Sequence, residues 1–260
     1  MLCHQDFTKS CVLIFLSISL LILNVKQATS QPKLETSKII YKKGRYTQLN
    51  ITTIEDKKLQ DQIKKVAFIE TQLEYELLFN AHESLFQLTI NSHLNRLLPE
   101  VILALGYKEI FYTNQQSQYK VRHTAAIENG FNIKSILREN KWTKSSEFKF
   151  IKGYKCYKAT SSLEIQNPIT NQYEAYHPIV WFTHDIPVPF GPNRLDGLPG
   201  LVLEGTFNGN TFFYATKISL NSVDILNLES KIPKVNTINK KEYAKIIASN
   251  FKKRKKLRGY

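Results

Sequence analysis

The sequence predicts a mainly β protein of the α+β class: an antiparallel, strongly curved sheet or half-barrel packed by a few helices, one of them C-terminal. Three observations carry this expectation. Leu73, Tyr75, Leu77 and Phe79 alternate with polar neighbours, and Phe86, Leu88 and Ile90 alternate again after a short break. A period of two belongs to strands with one face in the core and one face wet. Asn208-Gly209 separates two apolar runs, a strong short-range hairpin signal. Strand-like and helix-like segments do not alternate along the chain, which argues against a doubly wound parallel sheet.

The elements follow in order. KIIYKKGRYTQLNI, from Lys38, reads as an opening strand broken at Lys43-Gly44. Residues 53–66 put Leu59, Ile63 and Val66 on one helical face, with acidic residues early and lysines late, as a helix dipole prefers. The 73–79 and 86–90 hairpin turns at Asn80-Ala81-His82-Glu83. Residues 92–105 are apolar at helical spacing, but Pro99 sits inside and suggests two short turns. Residues 108–125 read as two strands around Asn114-Gln115-Gln116. Residues 131–136, 147–152, 154–165 and 173–183 are further strands, the last two joined by a turn at Asn167-Pro168. Strands at 201–207 and 210–220 flank Asn208-Gly209. Residues 240–256 read as an amphipathic helix with Tyr243, Ile246, Ile247 and Phe251 on one stripe.

Residues 1–30 read as a cleavable signal peptide. CVLIFLSISLLILNV at 11–25 is too short for a comfortable membrane span, and Ala28-Thr29-Ser30 offers small residues for cleavage. Cys3 and Cys11 lie before or at the start of that run, so no lipid-anchoring cysteine follows it. The expected organisation is therefore a signal at 1–30, a β-rich domain at 31–237, and a helix with a basic tail at 238–260. Export to the periplasm or beyond is the expected localisation. Cys156 alone then remains, with no internal disulfide to form. It sits in the strand GYKCYKAT, as a buried structural thiol or, on a sharper reading, a reactive one.

The chain carries a net charge of +14, and its end reads KKRKKLRGY. That balance suits peripheral contact with an anionic membrane, or a solvated tail. Nucleic acid is not expected as a partner of an exported protein. His82, His93, His123, His177 and His184 are scattered, without HExxH or paired cysteines, so neither a metal nor a cofactor is assigned.

The stretch HDIPVPFGPNRLDGLPGLVLEG, residues 184–205, stands apart. Pro187, Pro189 and Pro192 fix an extended path, and Gly191-Pro192 and Pro199-Gly200 mark turns. A Pro-Gly pair suits the centre of a type II turn, with positive φ at Gly200. No lysine–hydroxyl pair follows the glycines, which excludes a phosphate loop, and no serine lies between them, which excludes a nucleophile elbow. Rigid loops of this kind present ligand sites. Trp181, Asp185, Pro187, Gly191, Pro192, Gly197, Leu198, Pro199, Gly200 and Glu204 are the candidate ligand- or partner-loop residues.

Gly197-Leu198-Pro199-Gly200-Leu201-Val202-Leu203-Glu204 resembles the signature of the GLPGLI family, with Val202 at the position of the isoleucine. Lys155-Cys156-Tyr157-Lys158-Ala159, Val180-Trp181-Phe182-Thr183-His184-Asp185-Ile186-Pro187 and Leu78-Phe79-Asn80 resemble it as well, in order. The resemblance implies an exported, β-rich protein of Gram-negative bacteria and supplies no reaction, cofactor or catalytic residue.

His184, Asp185, Asp196 and Glu204 are the acid–base candidates. Neighbours on a strand point to opposite faces, so His184 and Asp185 do not form a dyad directly. Asp196 is expected to cap its own turn, and Glu204 to pair with Arg194 or hold the loop. The leading functional expectation is a non-catalytic binding or carrier module of the cell envelope, monomeric, holding an apolar or lipid-like ligand inside the curved sheet. The alternatives are an interaction protein docking an envelope partner through the glycine-proline loop, and a hydrolase using His184 or Asp185.

Overall fold

Strand pairing follows the alternation of the sequence closely. The structure is a computed structural model that describes residues 35–46, 53–89, 109–125, 130–137, 140–223 and 227–257. The expected signal at 1–30 and the apolar segment at 92–105 lie outside the described residues. The chain from Leu34 to Tyr260 is one compact unit.

β1 (Thr36–Arg45), β2 (Glu74–Phe79), β3 (Glu83–Thr89), β4 (Glu109–Asn114), β5 (Tyr119–Thr124) and β6 (Phe131–Ile136) run up the first half of the chain. β7 (Thr143–Ile151), β8 (Tyr154–Thr160), β11 (Ile179–Thr183), β12 (Leu201–Thr206) and β13 (Thr211–Val223) follow, with β9 (Leu163–Gln166) and β10 (Tyr173–Tyr176) as a separate hairpin. With β14 (Thr237–Asn239), twelve of these strands form one sheet in the order β14-β6-β5-β4-β3-β2-β1-β13-β12-β11-β8-β7. Every pairing in it is antiparallel except β14 on β6. The sheet is not closed; β14 and β7 are its edges.

The expected strands at 154–165 and 173–183 are each two strands. Ser161 N–H donates to Pro178 O at 3.0 Å. That bond clamps the chain where it leaves and re-enters the sheet, and residues 163–176 project as the β9–β10 hairpin. β14 was not legible: three residues carry no periodicity, and Asn132 holds the segment through a bond from its Nδ2 to Pro233 O.

Helix α1 (Lys57–Gln72) starts where Asp56 caps the Lys58 and Leu59 N–H groups. It docks by its C-terminal half. Ile69 is buried, while Leu59, expected on the packed face, is exposed. Arg45 reaches Glu70 with two guanidinium nitrogens at 2.8–2.9 Å. Helix α2 (Lys240–Leu257) opens on a capping box, Asn239 and Glu242 each accepting from the other's N–H at 2.9 Å. Its Tyr243 lies under the Arg122 guanidinium, but Phe251 is exposed, so the expected apolar stripe is packed only at its start. No helix among the described residues is long and apolar enough to cross a membrane.

The sheet is strongly curved. Lys120 on β5 bonds Asp196, in the loop entering β12, at 2.6 Å. β5 and β12 are six strand positions apart. At about 4.8 Å per strand, a flat sheet would separate them by roughly 29 Å. Only a sheet curled around the β11–β12 loop brings these residues together.

Candidate functional site

The loop between β11 and β12 is built as core. Ile186, Phe190, Leu195 and Leu198 are buried. Ile186 and Phe190 join the cluster of Tyr41, Leu77 and Phe79, and Leu195 and Leu198 join Phe182, Val180 and Val202. β12 is gripped between the two: Leu201 and Leu203 enter the first cluster, Val202 the second. Backbone bonds fix the path, with Leu201 N–H donating to Ile186 O, Val202 N–H to Phe190 O, and Gly197 N–H to Pro189 O, all at 2.9–3.0 Å.

The glycines serve two different needs. A Cβ on Gly191 would lie 1.9 Å from Leu195 O, and one on Gly200 would lie 2.1 Å from Thr183 O. Those positions are glycine for close backbone approach. Positive φ falls at Gly197 (+92°) and Asn193 (+59°) rather than at Gly200, so the expected type II turn at Pro199-Gly200 is replaced by reversals around them. Pro192 is buried and its carbonyl accepts from Leu195 N–H; Pro187, Pro199 and Asp185 are exposed.

Asp196, expected to cap its own turn, is 6 % exposed and sends its carboxylate to Lys120 and Thr113. Its carbonyl accepts from the Trp142 indole N–H at 2.8 Å. Asn140 Nδ2 similarly donates to Arg194 O. The loop is therefore tied to β4 and β5 on one side and to the segment before β7 on the other.

Trp181 and Glu204, neighbours across the β11–β12 register, come together with Lys149 of β7. The Lys149 ammonium donates to Glu204 Oε1 at 2.7 Å and sits 4.5 Å above the centre of the Trp181 ring. Glu204 thus pairs with Lys149, not with Arg194, whose guanidinium lies over Phe207. Lys149 was missed by sequence reasoning; the alternation of FKFIKG, with Phe148 and Phe150 turned outward, was the signal that could have placed it. Tyr46 feels Glu204 too: partial burial first, then that carboxylate, raise its phenol above the ordinary value.

Cys156 is fully buried beside this cluster. Burial pushes its thiol up to about 12, against a backbone bond at Ile151 and the Lys149 ammonium, which pull it down; Asp185 and Glu204 add smaller rises. Both observations fit the structural rather than the reactive reading. His184 Nδ1 lies 2.8 Å from Pro199 O, and its ring packs on Phe182 and Tyr157, so its contacts brace the loop. Among the described residues no group of three His, Cys, Asp or Glu side chains is placed to hold a metal ion.

Chemically, the cluster offers a charge-paired carboxylate and an ammonium, both partly open to solvent, beside an indole whose one face the ammonium covers. Such a set can accept hydrogen bonds from a polyhydroxyl ligand and donate to it.

A family model described as N-glycanase peptide, N-terminal domain, matches residues 107–243. Two solved structures share the fold. PNGF-II in space group C2 superposes with a TM-score of 0.53 at 18 % identity, over 82 % of this chain and 32 % of that one. PNGF-II in space group P21 gives 0.52 at 19 % identity, over 80 % and 32 %. The chain spans about a third of the length of those proteins. No protein of curated function matches the sequence. The N-glycanase match runs through the loop that carried the GLPGLI resemblance and overturns it. The non-catalytic carrier reading, with its docking alternative, falls at the same point. On the physical side, Ile186 and Phe190 of the chain's own loop supply part of the apolar core against the sheet.

Proposed function

From the premise that this chain belongs to the family of N-glycanase N-terminal domains, we propose that it works in the hydrolysis of N-linked glycans, engaging the glycosylated substrate. The observation that carries this is the family match itself, which spans β4 to the start of α2 and so includes Trp181, Lys149 and Glu204. The geometry supports it. Loops ordered by a rigid scaffold are where substrate contacts concentrate, and here buried side chains of the β11–β12 loop set the scaffold. Glu204, partner of Lys149, accepts sugar hydroxyls, and the exposed part of Trp181 borders the same place. We place this work outside the cytoplasm, in keeping with the apolar run at 11–25.

The test is to present the chain with an N-glycosylated protein and with the same protein deglycosylated. Complex formation is followed by interferometry and glycan release by mass spectrometry. Engagement or release that depends on the glycan, weakened by Trp181→Ala and Glu204→Gln, is the expected result. Identical behaviour toward the two forms overturns the proposal.

A further inference from the structure

Away from the Trp181–Lys149–Glu204 cluster, a cavity of about 470 Å³ opens where β7, β8 and β11 begin or end. Its floor is one cross-strand row. Thr143 pairs with Thr160, and Thr160 with Ile179, so three adjacent strands present those residues at one level. Its walls are the two legs of the β9–β10 hairpin: Ser161 and Ser162 leaving the sheet, His177 and Pro178 returning. Lys141 stands at the margin, one residue before the Trp142 that anchors Asp196 O.

The lining is chemically distinctive. Four hydroxyls surround the space, and each donates one hydrogen bond and accepts others. Lys141 adds a donor and His177 a ring nitrogen. Ile179 and Pro178 add apolar surface, and no carboxylate lines the cavity. Ser161 adds an independent observation. It is 8 % exposed, and its hydroxyl has no hydrogen-bond partner among the described residues. A buried hydroxyl left so has given up its bonds to water without replacement, and a ligand on that wall would restore one.

We propose that this cavity is a saccharide-binding subsite that takes one sugar residue of the glycan. The proposal rests on the reading of the chain as a domain that engages N-glycans. A sugar ring carries hydroxyls around its rim and C–H groups on its faces, which matches hydroxyls on the walls and Ile179 on the floor. The volume lies in the range of small-ligand sites. Because the hairpin legs form the wall, the bond from Ser161 N–H to Pro178 O sets the shape of the subsite.

The experiment uses the full chain with methyl-labelled isoleucine, N,N′-diacetylchitobiose and a high-mannose oligosaccharide as free probes, and an N-glycosylated protein as the macromolecular one. Three variants are compared with wild type. Ser162→Trp fills the space from an exposed position, Thr160→Val removes a floor hydroxyl, and Ser161→Val removes the partnerless one. The expected result is a sugar-dependent shift of the Ile179 methyl signal and at least a tenfold loss of sugar affinity in Ser162→Trp and Ser161→Val. Ser161→Val should show no loss of thermal stability, because no protein bond is given up. If the glycoprotein is still engaged but the variants leave engagement unchanged and no sugar shifts Ile179, the subsite is overturned while the broader function stands. If wild type ignores the glycan on the protein, the broader function fails. The subsite is then supported only by an Ile179 shift with free sugar, and overturned without one.

Discussion

Lys120 Nζ lies 2.6 Å from Asp196 Oδ1, joining β5 to the β11–β12 loop across the inside of the curved sheet. The two side chains are only 15 % and 8 % exposed. A pair buried to that depth is weak evidence of net stabilisation, but removing one partner leaves an uncompensated charge, which costs about 3–5 kcal/mol. Asp196→Ala is therefore expected to lower unfolding stability by about 3 kcal/mol in urea denaturation. Lys120→Met combined with Asp196→Leu should lose clearly less than the sum of the single changes. Additive losses would mean the pair does not hold the loop.

The close approaches at Gly191 and Gly200 make a second expectation. The atoms a methyl would meet are carbonyl oxygens of the chain, Leu195 O at 1.9 Å and Thr183 O at 2.1 Å, which cannot swing away as a side-chain tip can. Gly191→Ala and Gly200→Ala should each lose several kcal/mol or fail to fold. Gly153→Ala, where nothing lies within 4 Å and only a positive φ opposes the change, should lose about 1 kcal/mol. Thermal melts of the three variants decide it.

These two loop features mark the limit of what the sequence reveals. The β2–β3 hairpin and the β12–β13 hairpin at Asn208-Gly209 were legible because period-two patterning and turn residues are local. The rigidity of the glycine-proline stretch was legible from its prolines. Its place inside the sheet was not, because that depends on Lys120 and Thr113, which are 76 and 83 residues away. For the same reason the sequence offers Glu204 only nearby Arg194 or a loop-holding role, whereas Lys149, 55 residues distant, holds it. The β9–β10 excursion was hidden because Tyr154 to Thr160 and Leu163 to Gln166 read as one continuous strand without the Ser161–Pro178 clamp.

Cys156 predicts a pH dependence. Burial raises its thiol from the ordinary value to about 12 in the folded chain, while the unfolded thiol titrates near 9. Between those values the unfolded chain has lost a proton that the folded chain keeps, so stability is intact below pH 9 and falls as pH rises toward 12. Tyr41 acts in the same direction at somewhat higher pH, since burial raises its phenol, which donates to Val202 O at 2.6 Å. At pH 8, with Cys3 and Cys11 replaced by serine, alkylation of folded Cys156 should be far slower than in urea. Similar rates in the two conditions would show an open, reactive thiol.

Lys149 and Glu204 separate stability from function. Their side chains are 37 % and 22 % exposed, so screening by solvent keeps their mutual contribution small. A double-mutant cycle of Lys149→Met and Glu204→Gln, read by denaturation, should give a coupling of about 0.5–1 kcal/mol. Trp181→Phe keeps an aromatic ring on the same strand and should cost little more. If the cluster meets the glycan, the same substitutions reduce glycan-dependent engagement far beyond what so small a stability change can cause, because polar groups ordered for a hydroxyl-rich ligand are left without it. Glycoprotein binding isotherms for wild type, Lys149→Met, Glu204→Gln and Trp181→Phe at a temperature well below unfolding make the comparison. Losses no larger than those of Phe150→Ala, an exposed ring on the same edge strand, would assign Lys149 and Glu204 to the scaffold alone.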